Sequence, residues 1–266
     1  MDINPLEVLQ GEPLEHLQHS FDSMYLISGG GEVGLTQYIF WMIISVVLTA
    51  LIVILAGKRL RLIPTDKFAN MVEWGYERIC VNMGENAIGK GYQKYMPIIL
   101  TFFFFILVSN IIGLIPGCKT PTGSLSVTWA LATVAFLYFN WQGIKTKGGL
   151  GYLKSIAPSG LPVVMVPIIW LFEFISLVLR WLTLAVRLYG NMFAGHMILG
   201  IFALMTTIFL QCSIEAMNFV IGLPAIAWVL LLIVMYAMEC LVAFLQAYVF
   251  SILTAVYVGL AVSESH

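Results

Sequence analysis

Leu184-Ala-Val-Arg-Leu-Tyr-Gly-Asn-Met-Phe-Ala-Gly-His196 places an arginine, Arg187, in the middle of an apolar run that extends from about Leu161 to Leu210. A guanidinium at the centre of a membrane helix costs roughly 2.5–3.5 kcal/mol on insertion scales, and such residues face a hydrated cavity or a partner. Arginine cannot escape by losing its proton. A packing role would not need a permanent charge, so Arg187 is the first candidate functional residue.

The run itself decides the architecture. As one helix it would be on the order of 70 Å long, against a bilayer core of about 30 Å. Either it breaks into two spans or it crosses the membrane steeply tilted beside a partner. After Gln211 to Asn218 the pattern repeats from Phe219 to Val262, again too long for an upright span. These two segments predict an antiparallel hairpin of long membrane helices.

Upstream, a first span runs from about Tyr38 to Ala56 and is closed by Gly57-Lys58-Arg59-Leu60-Arg61. A basic cluster beside a span marks the cytoplasmic side, which puts the N-terminus outside. Asp66 to Lys90 gathers Phe68, Met71, Val72, Ile79 and Met83 on one face and is too charged to span. It reads as an amphipathic helix on the membrane surface, with a helix packed on a partner as the alternative. A second span covers Met96 to Ile115 and stops at Pro116-Gly117; its one strongly polar interior residue, Asn110, suits a hydrogen bond to a neighbouring helix or a hydrated path. A third, Leu125 to Ile144, returns to Lys145, Lys147 and Lys154. Of the thirteen basic residues, all but Lys119, Arg180 and Arg187 fall in segments this topology makes cytoplasmic. The fold class is therefore an all-α membrane protein of about five membrane helices plus one surface helix, with residues 38–266 as a single polytopic domain.

Composition agrees. The chain is 60% hydrophobic and 10% charged, with a mean hydropathy of +0.94, far from the balance of a soluble domain. Residues 1–37 form an acidic segment holding Asp2, Glu7, Glu12, Glu15, Asp22 and Glu32 and no Lys or Arg, the reverse of a leader's basic start, so no cleaved leader is expected. Pro5 to Phe21 suits a short amphipathic helix before the Gly29-Gly30-Gly31 turn. His16 and His19 are three apart but lack a third ligand, and the four cysteines, Cys80, Cys118, Cys212 and Cys240, lack CxxC spacing. Neither a metal site nor a disulfide framework is expected, and the cysteines read as small packing residues.

On helices the polar residues of the last third fall into an arrangement. Glu173, Arg180 and Arg187 are spaced by seven and share a face within about 40°. Asn191 is one turn past Arg187 on nearly that face, whereas His196 points elsewhere and lies further along. Glu239 and Gln246, also seven apart, share a face of the second arm. Gly190, Gly195 and Gly200 allow close approach of a helix. Plainer readings exist: Glu173 pairing with Arg180, Arg180 snorkelling, His196 as a packing histidine and Gln246 as helix-to-helix glue.

Arg187-Leu-Tyr-Gly-Asn-Met-Phe-Ala-Gly-His196, with Leu245-Gln-Ala-Tyr-Val-Phe250, Leu253-Thr-Ala-Val-Tyr257 and Asn110-Ile-Ile-Gly-Leu-Ile-Pro116, resembles subunit a of F-type ATP synthases, the stationary proton-channel subunit of the membrane sector. The resemblance implies partners: a rotating c-ring of small hairpin subunits, the peripheral-stalk subunit b, the other synthase subunits and the lipid bilayer. It implies no nucleic acid and no cofactor. It also assigns roles. Arg187 would face the ring and keep two offset half-channels apart, with Glu173 in the inner one, His196 and Glu239 in the outer one, Asn191 and Gln246 as polar neighbours, and Arg180 and Asn110 secondary. Many bacterial members carry a glutamate where this chain has His196 and a histidine on the last helix, so the pair looks exchanged. With no P-loop in the sequence, phosphoryl chemistry is expected on other subunits, and a bacterial plasma membrane is expected ahead of the mitochondrial inner membrane. The other readings are a secondary ion transporter, for which no internal repeat appears, and a membrane scaffold, which leaves Arg187 without a purpose.

Overall fold

The computed structural model describes residues 25–28, 34–59, 80–89, 91–115, 117–149, 151–152, 165–215 and 219–262, together with 70, 74, 75 and 77. The expected amphipathic helix at Pro5–Phe21 and the two histidines there lie outside the described residues. In chain order come strands β1 (Tyr25–Ser28) and β2 (Gly34–Thr36) and helices α1 (Gln37–Arg59), α2 (Met96–Leu114), α3 (Leu125–Lys147), α4 (Val166–Glu215) and α5 (Phe219–Val262). The membrane domain is all helical. Ahead of it β1 and β2 pair antiparallel, a small hairpin that the sequence pattern did not show.

Four helices, α1, α2, α4 and α5, are long and apolar enough to cross a membrane. The fifth, α3, is as long as α1 and more polar, and it packs among them. From the expected surface helix at 66–90, residues 70, 74, 75 and 77 are helical and Cys80–Ile88 is a π-helix, with Gly89 N–H donating to the Gly84 carbonyl at 3.1 Å. That segment packs on the end of α5: a Cβ on Gly259 would collide with the backbone carbonyl of Ala87.

Local chemistry sets the helix ends. α2 begins with Pro97 in its first turn, where a missing N–H costs nothing. It stops at Leu114 because Ile115 precedes Pro116 and takes the extended conformation a pre-proline residue prefers, with φ −76° and ψ 123°. α3 ends at Gly148, whose φ of 76° favours glycine, with Lys145 and Lys147 in the last turn against the negative end of the helix dipole.

α2 is the innermost helix. Its Ile99, Phe102, Phe103 and Ile106 pack with Ala132, Ala135 and Phe139 of α3, Leu184, Ala185 and Leu188 of α4, and Ala247, Phe250, Ala255 and Val258 of α5. Aromatic contacts tie the seams: Phe102 to Phe250 at 5.5 Å, Trp129 to Trp181 at 4.5 Å and Phe139 to Tyr257 at 5.7 Å between ring centres. The Trp181 indole N–H also donates to Thr133 Oγ1 at 3.1 Å, so the polar edge of a half-buried tryptophan is satisfied across α3 and α4. α1 leans on this bundle and exposes most of its apolar side chains, as a helix solvated by lipid can.

The long apolar run does not break. α4 is one helix of 50 residues and α5 one of 44, about 75 and 66 Å long at 1.5 Å per residue. Their contacts run in opposite directions along the two sequences, from Asn191 with Gln246, through Gly195 with Glu239, to Phe202 with Trp228. This is the antiparallel hairpin the sequence predicts. Helices more than twice as long as the bilayer core is thick fit it only by leaning steeply.

Candidate functional site

The elements give α4 a scale of depth. Near its start Arg180 lies at the level where α3 and α5 end: its guanidinium is 5.4 Å from the ring centre of Tyr257. Tyr152, just beyond α3, donates its hydroxyl to Asn140 Oδ1 at 2.9 Å; burial pushes its phenol up from the ordinary range, opposed by the lowering pull of the Arg180 charge. Further along α4, His196 lies at the opposite end of the bundle, hydrogen-bonded through Nε2 to Thr120 in the loop between α2 and α3. Arg187 falls between them, about 10 Å along the axis from Arg180 and about 13 Å from His196.

At that middle level the two faces of α4 differ. Leu184, Ala185, Leu188 and Met192 are buried. Thr183, Arg187, Asn191 and Ala194 form an exposed row. Among the described residues Arg187 has no hydrogen-bond or ion-pair partner. Around the row lie exposed apolar side chains, Leu179, Leu182, Val186 and Phe193 on α4 and Met238, Leu241 and Leu245 on α5. Gly190 adds to the open face: among the described residues, nothing beyond its own helix turn comes within 4 Å of where its Cβ would stand.

A polar seam runs beside the row between the two arms. Asn191 donates through Nδ2 to Gln246 Oε1 at 2.7 Å, one turn from Arg187. One more turn along, the carboxylate of Glu239 occupies the place a side chain on Gly195 would take. Glu239 is buried, and its Oε1 has no hydrogen-bond partner among the described residues. An orphaned carboxylate oxygen in the interior is costly.

Beyond Gly195, His196 faces a cavity of about 230 Å³ lined by Tyr38, Cys118, Lys119, Thr120, Gly123, Tyr189 and Phe193. The Lys119 ammonium lies 5.4 Å from the centre of the Tyr38 ring at its rim. Asn110 sits on the other side of the seam, fully buried, donating to the Ala243 carbonyl at 3.2 Å and accepting from Thr122 Oγ1 at 2.7 Å. Of the two sequence readings of this residue, the hydrogen bond to a neighbouring helix is present.

The Asn191–Gln246 pair and Glu239 at Gly195 thus lie between the levels of Arg187 and His196 along the two arms. Glu173 does not join them; it is half-buried on α4, about 21 Å along the axis from Arg187 and on the far side of Arg180. Sequence reasoning missed Thr120, Thr122, Lys119 and Tyr38. Two threonines around a proline after a span carry no hydropathy signal, and only the turn chemistry of Thr-Pro-Thr-Gly marked the place.

The fold and site define a class: a polytopic membrane protein whose two longest helices carry a cation unpaired among the described residues and a titratable polar seam at membrane depth. The chain belongs to the ATP synthase A chain family, which it matches across residues 39–259. It is 35% identical over 251 residues to ATP synthase subunit a of Nitrobacter hamburgensis, covering 94% of this chain and 98% of that one. The corresponding protein of Nitrobacter winogradskyi is 34% identical over 264 residues, covering 99% and 100%, and that of Brucella canis 37% identical over 238 residues, covering 90% and 92%. The chain is accordingly a membrane subunit of an F-type ATP synthase, serving proton transport and ATP synthesis with the other subunits of that complex.

Proposed function

We propose that this chain is the stationary half of the proton turbine, passing protons through two offset half-channels to and from the carboxylates of a rotating c-ring. The exposed guanidinium of Arg187, without a partner among the described residues, carries this reading. A fixed charge left unpaired among the described residues calls for an ionised group brought by another subunit, and the exposed apolar side chains around it suit a rotor of small hairpin subunits. Protons reach the seam from outside through the cavity at His196, pass to Glu239 and protonate a ring carboxylate near Asn191 and Gln246. They leave after a rotation, past Glu173. Arg187 disfavours a proton between the two channels and favours an ionised ring carboxylate as it passes. About 2.3 kcal/mol per proton is available for each 100 mV.

The orientation follows from charge. Arg59, Lys94, Lys145, Lys147 and the end of α5 gather at the Arg180 end, which is cytoplasmic by the positive-inside rule, in a bacterial plasma membrane. The N-terminal segment and the His196 cavity then face outside. Subunit b is the further membrane partner, and ATP chemistry belongs to the soluble subunits.

The test is ATP-driven proton pumping in membrane vesicles, with Arg187→Ala compared with the wild type at matched assembly. Pumping is expected to disappear with the complex intact. Pumping that survives removes the separator role.

A further inference from the structure

We propose that the loop from Thr120 to Thr122 is a latch holding the two proton-carrying side chains in place, with Thr120 a positioning residue for His196; this rests on the reading above. The loop reaches both arms of the hairpin at once. Thr120, almost fully buried, is hydrogen-bonded to His196 Nε2 on α4, which fixes the ring plane and leaves Nδ1 as the nitrogen free to exchange a proton. Thr122, fully buried, donates to Asn110, whose other end donates to the carbonyl of Ala243 on α5. Ala243 stands one turn from both Glu239 and Gln246, so the same loop sets the register of the residues facing the seam.

The loop is built to be rigid. Pro121 fixes one backbone angle between the threonines. Gly123 N–H donates to the Thr120 carbonyl at 3.0 Å and Ser124 N–H to the Pro121 carbonyl at 3.1 Å, closing a 3₁₀ turn. Gly113 of α2 forms the socket, since the Thr120 side chain fills the place its Cβ would take. The rest of the surroundings offers His196 other partners: Tyr38 from α1, Cys118 and Lys119 from the loop, Tyr189 from its own helix and Glu239 from α5 beside Gly195. A ring without the threonine would be free to turn among them.

Thr120→Val and Thr120→Ser separate a hydroxyl role from a packing role, because valine keeps the shape and serine keeps the hydroxyl. In the whole complex in membrane vesicles, ATP-driven pumping is expected to fall about fivefold with valine, the population effect of one typical hydrogen bond, and to be restored by serine. Thr122→Val and Thr122→Ser are expected to follow the same order. If valine prevents assembly and serine permits it, the hydroxyl latch is likewise supported. Wild-type pumping with valine, or equal losses with both residues, overturns it. Arg187→Ala run in parallel tells the two levels apart: loss of pumping there with an unaffected Thr120→Val sinks the latch alone, whereas pumping that survives Arg187→Ala sinks the reading beneath it.

Discussion

The two faces of α4 around Arg187 are built from the same helix turn and have opposite fates. On the inner face Leu184, Ala185, Leu188 and Met192 meet α2, α3 and α5, and the contacts account for their type. On the outer face Thr183, Arg187, Asn191 and Ala194 are exposed, and no described residue pairs with the arginine among them. The inner face explains why the protein folds. On the proposed reading, the outer face is explained by a partner subunit.

The contrast can be broken or sharpened by substitution. The largest effect belongs to the inner face: Leu188→Asp buries an unpaired carboxylate where no side chain can move aside, and the subunit is expected to be missing from the purified complex. Next comes the seam. Gly195→Val drives a side chain into the Glu239 carboxylate, and overpacking of this kind costs about 1–3 kcal/mol, so pumping at matched assembly is expected to drop about tenfold or more. Asn110→Leu removes the bond to Ala243 and orphans Thr122, worth about 1 kcal/mol in a membrane interior, and should appear as earlier loss of the detergent-solubilised complex on heating. The smallest effect is expected from Phe172→Leu at an exposed position near the start of α4, within about 0.5 kcal/mol in the same heating assay.

Sequence reasoning located the hairpin well because the signal was length. The predicted second arm, Phe219 to Val262, matches α5 residue for residue, and of one tilted helix or two spans the structure has one helix, which runs unbroken through Gly190, Gly195 and Gly200 where α5 packs against it. Helical spacing also separated His196 from the Arg187 face. What remained illegible depends on contacts between distant parts of the chain. Nothing in the order of residues says that Thr120 meets His196, 76 positions away, or that Gly195 is the seat of Glu239. The β-hairpin escaped because three- and four-residue strands are too short to show alternation, and the π-helical turn at Cys80–Ile88, inside the expected surface helix, escaped because periodicity does not distinguish an α- from a π-helical turn.

The most direct measurement of the contrast between the two faces is photo-crosslinking in native membranes, with a benzophenone amino acid placed once at Ala194, on the outer row, and once at Met192, on the inner face. Adducts to a small hairpin subunit from Ala194, and crosslinks only within this chain from Met192, are the predicted result. Lipid adducts alone from Ala194 would contradict it, leaving Arg187 facing the bilayer with no ring to serve.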